Sequence, residues 1–94
     1  MALSYFGFIV TGDRFEQMQG TEHFKMKVVG VRKPEEGIKA AQQMVDEGVQ
    51  LIELCGGFGP VWTAKIIDAI DKQVPVGSVG YGPESIEQMY HLFK

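Results

Sequence analysis

Apolar residues along the chain fall into runs of strand length, separated by stretches whose apolar positions recur at helical spacing. Residues 5–10 form a continuous apolar run, closed by the turn-forming Thr11-Gly12-Asp13, and this predicts a first strand. Asp13 and Glu16 have the spacing of a capping box, Phe15 and Met18 share one helical face, and Gly20 follows. These features predict a short helix over 14–19. Residues 24–31 alternate at first and then become wholly apolar, predicting a second strand that emerges from solvent and ends buried. Pro34 suits the first turn of a helix, Glu35 and Glu36 suit its positive end, and Ile38, Ala41 and Val45 line one face up to the stop at Gly48.

The same alternation continues to the end of the chain. A third strand is expected over 49–55, then a helix opened by Pro60 with Trp62, Ile66 and Ile70 on one side. A fourth strand follows over 74–79, where Pro75 is tolerable because it stands near the strand's start. Pro83 opens a last helix with Ile86, Met89, Tyr90 and Phe93 expected to face inward. The predicted fold class is α/β: a single small domain over 1–94, of about four βα units, with a mainly parallel four-stranded sheet. Two strand orders fit this reading. A doubly wound order places helices on both faces, whereas a sequential order makes half a barrel whose inner face needs a second copy to cover it. Gly57-Phe58-Gly59-Pro60 and Gly80-Tyr81-Gly82-Pro83 repeat one form, each joining a strand to a helix.

Composition narrows the functional classes. A formal net charge of -3 argues against nucleic acid, which demands a basic footprint. No apolar run is long enough to span a bilayer, the N-terminal run lacks the basic flank of a secretory signal, and a lone Cys excludes an internal disulfide, so a cytoplasmic location is expected. A chain of 94 residues buries only a little over ~60% of its unfolded surface when it folds alone. Short length, apolar strands and unprotected sheet edges together predict a homo-oligomer, a dimer or higher.

The candidate site follows from topology. Both strand orders place ligands at the carboxyl ends of parallel strands, an end that gathers Thr11, Asp13, Arg14, Arg32, Lys33, residues 53–59 and residues 79–82. Helix N-termini meet there, so an anionic metabolite is the expected ligand, held by Arg32 and the turns of Gly57, Phe58, Gly59, Gly80, Tyr81 and Gly82. The same glycines also serve purely steric needs of tight turns. Glu53, in an otherwise apolar strand, either pairs with an arginine such as Arg32 or Arg14 or faces a cleft as a general acid or base. Cys55, two positions on, points to the same side and is a candidate nucleophile or a small buried hydrophobe. His23 and His91 are expected near the opposite end of the sheet, which argues against a Cys-His pair and leaves no zinc set. No cofactor motif is present. Phe58 is expected to plug the core and Tyr81 to meet a ligand.

The string Glu53-Leu-Cys-Gly-Gly-Phe-Gly-Pro60, with Val-Val-Gly-Val31 and Val-Pro-Val-Gly77 around it, resembles a family of small bacterial proteins, a domain of unknown function. The resemblance runs from the second strand onward and implies a bacterial source, with no activity, substrate or cofactor attached. Three functional readings therefore stand: a small-ligand-binding module, an enzyme using Glu53 with or without Cys55, and a structural or partner-binding subunit.

Overall fold

The computed structural model describes residues 2–94. Its elements run β1 (Tyr5–Thr11), β2 (Phe15–Gly20), β3 (Lys25–Val31), α1 (Glu36–Asp46), β4 (Leu51–Leu54), α2 (Gly59–Ala69), β5 (Val76–Ser78) and α3 (Ile86–Phe93), with short 3-10 turns at Gly56–Phe58 and Pro83–Ser85. They form a mixed α/β domain on a five-stranded sheet of order β2-β3-β1-β4-β5. The pairs β3/β1, β1/β4 and β4/β5 are parallel, and only β2/β3 is antiparallel.

The segment expected to be a helix over 14–19 is strand β2, so the first strand is followed by another strand and the sheet has five strands where four were expected. Six register pairs, from Phe15↔Gly30 to Gly20↔Lys25, zip β2 onto β3. That ladder outweighs the helical preference of Glu, Gln and Met, since strand formation is decided largely by cross-strand partners. At its far end, Thr21 Oγ1 accepts hydrogen bonds from the backbone N–H groups of His23 and Phe24, closing the turn into β3.

Among the parallel strands the order β3-β1-β4-β5 is of the doubly wound kind, reversing at β1. In such a fold the two right-handed crossovers that leave from either side of the reversal cover opposite faces of the sheet. Here the connection between β1 and β3 is a strand at the sheet edge. The second face accordingly lacks the helix that this crossover ordinarily supplies.

The core lies on the first face. Ile9, Ile52 and Leu54 point from the sheet into Ala41 and Met44 of α1 and Ile66 of α2, all of them fully buried. Gly7 belongs to this layer: a Cβ there would stand 2.7 Å from the Met44 sulfur and 2.9 Å from Val49 Cγ1, so a side chain at this position would force both of these buried residues to shift. Gly37 does the same between helices, where a Cβ would lie 2.6 Å from the Phe58 ring. Lys27 is also on this face, 4% exposed, its ammonium held between Glu47 at the end of α1 and Glu16 of β2. Burial pushes the lysine's pKa down, but the hydrogen bonds to Glu47 and Glu16 outweigh it and hold the ammonium above its ordinary range.

The last helix departs from expectation. Of its apolar stripe, Ile86, Tyr90 and Phe93 are 57%, 65% and 75% exposed, and only Met89 is half-buried. Its spacing is that of a buried face, but within one chain nothing of comparable size covers it.

Candidate functional site

At the carboxyl ends of β1, β4 and β5 the chain forms a cleft of about 590 Å³, lined by Val10, Thr11, Cys55, Gly56, Gly57, Val79, Tyr81, Ile86, Met89 and Phe93. Its volume is within the ~300–1,000 Å³ usual for small-molecule pockets. The parallel ladder sets its floor. Cys55 continues β4 through a hydrogen bond from its N–H to the Ile9 carbonyl, and Val79 continues β5 by donating to the Leu54 carbonyl. Cys55 Sγ then receives the Thr11 N–H at 3.2 Å and lies 3.2 Å from Thr11 Oγ1, which ties the ends of β1 and β4 together.

The glycines have local reasons for being there. A Cβ on Gly57 would stand 2.3 Å from Thr11 Oγ1, so the backbone passes the hydroxyl only because no side chain intervenes. Gly59 has φ +68, a left-handed conformation that most residues avoid, at the step from the 3-10 turn into α2. Phe58, between them, is 2% exposed and packs against α1, whereas Tyr81 in the second Gly-aromatic-Gly-Pro turn is 56% exposed and stands on the cleft wall. Two copies of one sequence pattern thus place one aromatic in the core and the other at the surface.

The remaining sequence candidates are distributed differently. Glu53 pairs with neither arginine. It faces away from α1 and α2, exposed to water, beside Gly77 of β5, which offers no side chain to cover it. Arg14 is committed to Glu36, at 2.8 Å, and Arg32 to Asp13, at 3.2 Å. Glu36 also accepts the Arg32 N–H, and the hydrogen bond from Arg14 leads the causes that hold its carboxyl below the usual range. This network fastens the β1–β2 loop to the start of α1, and neither arginine lines the cleft. Gly80 and Gly82 flank Tyr81 without lining the cleft themselves.

His23 lies in the β2–β3 turn, at the far end of the sheet as expected. His91 does not: α3 lines the cleft from Ile86 to Phe93, so it lies by the carboxyl ends of the strands and carries His91 with it, edge-on to Tyr90 at 5.4 Å between ring centroids. Sequence reasoning located Thr11, Cys55, Gly57, Val79 and Tyr81 at this end but missed Val10, Ile86, Met89 and Phe93 as cleft residues. The signal for the last three was the 86, 89, 93 stripe directly after the second glycine turn. No group of His, Cys, Asp and Glu suited to a metal ion occurs among the described residues. No helix there is long and apolar enough to cross a membrane.

A family model described as a family of unknown function, DUF6506, matches residues 4–94. The chain belongs to this family. The match spans β1 through α3, so in this DUF6506 member the cleft is built entirely within the matched region. No curated protein and no solved structure matches the chain.

Proposed function

We propose that this chain is a small-molecule-binding protein whose ligand occupies the cleft at the carboxyl ends of β1, β4 and β5. The observation that carries this reading is the cleft's division of labour. Val10, Val79, Ile86, Met89 and Phe93 form apolar walls, while the Thr11 hydroxyl, the Cys55 thiol and the backbone of Gly57 stand together among them, next to Gly56. A few polar groups set in an apolar cavity are what orient a small ligand. The walls favour a compound with an apolar body. Its polar end, a carboxylate, meets the backbone that leads into α2, where the helix dipole favours negative charge. Tyr81 closes over the body.

This reading keeps the anionic ligand expected from the sequence but moves its recognition from Arg32, which is bound to Asp13, to backbone and hydroxyl groups. An acid–base role for Glu53 draws no support from the cleft, because Glu53 is not among the residues that line it.

Thermal unfolding with added octanoate or phenylpropionate tests the proposal, with inorganic phosphate alongside, since a ligand specific to the folded state raises Tm with its concentration. The expected result is a rise with the two carboxylates that is lost in Tyr81→Ala and Gly57→Ala and retained in Arg32→Ala. A rise with phosphate alone, abolished by Arg32→Ala, would overturn the assignment of the cleft, as would a carboxylate effect indifferent to Tyr81 and Gly57.

A further inference from the structure

The second face of the sheet carries Phe6, Phe8 and Val10 on β1, Met26 and Val28 on β3, and Leu51 on β4. All six are half-buried, and none packs against the core cluster, which lies wholly on the helical side. Parallel strands are ordinarily covered on both faces, and here α1 and α2 share one. The bare side has the anatomy of an interface: its centre, on β1 and β3, is apolar, while Gln17 and Gln19 on β2 and Glu53 on β4 stand toward its edges. At Val10 it runs into the exposed apolar stripe of α3.

The surface of the whole chain, the bare face and the exposed α3 stripe together, fits one occupant. A folded monomer of 10.4 kDa exposes about 5,400 Å² by the usual mass scaling, whereas this chain exposes 6344 Å². The surplus of roughly 900–1,000 Å² is close to the ~800 Å² that each partner gives to a standard interface. The radius of gyration agrees: 13.8 Å against about 12.4 Å for a compact chain of this length. One closed two-fold contact absorbs such an excess, and an apolar surface of this kind is self-complementary because apolar burial is non-directional and no charge opposes itself at its centre.

We infer that a second copy of this chain packs on the bare sheet face, forming a homodimer whose interface is centred on Phe8 and Val28 and flanked by α3. The missing helix of the doubly wound order is thus replaced by a partner's sheet. Because Val10 belongs to both the face and the cleft, the partner also walls the cleft's open side, a consequence that rests on the ligand-site reading above.

Multi-angle light scattering over roughly 5–200 μM tests the inference without any ligand, so its failure is distinct from failure of that reading. The expected mass is twice the chain mass, falling to the chain mass in Phe8→Glu, with the dimer retained in Val61→Glu, which places charge on the exposed outer side of α2. Met26→Lys supplies a milder second variant whose long stem can reach water should Phe8→Glu fail to fold, and it should weaken the dimer at least tenfold. A chain-mass species throughout the range overturns the inference, and so does a dimer whose dissociation constant is unchanged in Met26→Lys or that is lost in Val61→Glu.

Discussion

Neutralising one partner of the buried Lys27 should cost more than removing the lysine itself. The Lys27 side chain is 5% exposed, whereas Glu47 and Glu16 are 36% and 58% exposed. In Glu47→Gln the ammonium stays buried and keeps only Glu16, at 3.1 Å. A hydrogen bond between charged groups contributes ~1.5–3 kcal/mol, and the partial exposure of Glu47 puts the loss at the lower end, about 1.5–2 kcal/mol. In Lys27→Met the buried charge disappears, the apolar stem is kept, and both carboxylates turn to water, so the net cost is about 0.5 kcal/mol or less. The gap of about 1 kcal/mol corresponds to a difference in Tm of roughly 4–8 °C for a domain of this size. Urea titration at neutral pH and one fixed protein concentration measures both variants. A Lys27→Met variant as unstable as Glu47→Gln, or more so, would show instead that the ion pair contributes more than the lysine's desolvation costs.

The same cluster sets a pH dependence. Its hydrogen bond to Lys27 holds Glu47 below the usual 4.5, so its contribution is full above pH 4.5 and fades as pH falls through the lowered value. Lys27, raised above 10.5, contributes fully below that pH and loses its contribution as pH climbs through the raised value. Lys27→Met should therefore flatten both limbs of a Tm-versus-pH profile and leave a residual acid limb from Glu36, which Arg14 holds low; an unchanged profile would count against the cluster. Gly37→Ala, whose Cβ would meet the Phe58 ring at 2.6 Å, should destabilise by about 1–3 kcal/mol in denaturant, and a neutral result would mean that the Phe58 ring can shift aside freely. Alkylation of Cys55 by iodoacetamide should slow severalfold with saturating octanoate, since the thiol lines the cleft; an unaffected rate would place the ligand elsewhere.

The elements opened by proline and closed by glycine were legible in the sequence, because Pro34, Pro60 and Gly48 act through local backbone geometry that needs no partner. Residues 15–20 were not. Phe-Glu-Gln-Met-Gln-Gly contains no β-branched residue, and its strand character comes from β3, a neighbour that residue spacing does not reveal. The apolar stripe of α3 was legible as a stripe, yet the spacing of Ile86, Met89 and Phe93 is the same whether it faces its own core, a cleft or another copy. For the site, the rule that ligands meet the carboxyl ends of parallel strands found Thr11, Cys55 and Tyr81, since it depends on topology alone. It misjudged Glu53 because an acidic residue in an apolar strand reads as buried only if both faces of the sheet are covered, and here Glu53 faces away from α1 and α2 beside Gly77 of β5, which has no side chain to cover it. One local event, strand instead of helix after Asp13, thus accounts for the bare stretch of β1 and β3, while the uncovered stripe of α3 adds its own share of the surplus surface.

We propose a small carboxylate with an apolar body as the occupant of the cleft between the strand ends and α3. Amide NMR of the uniformly labelled protein titrated with octanoate tests it most directly, because it reports position as well as binding. Saturable shifts are expected to concentrate at Thr11, Cys55, Gly56, Gly57, Tyr81 and Met89, with His23 and Gly48 unmoved. Shifts centred on Arg14, Arg32 and Glu36, or the absence of any saturable shift at the cleft residues, would contradict it.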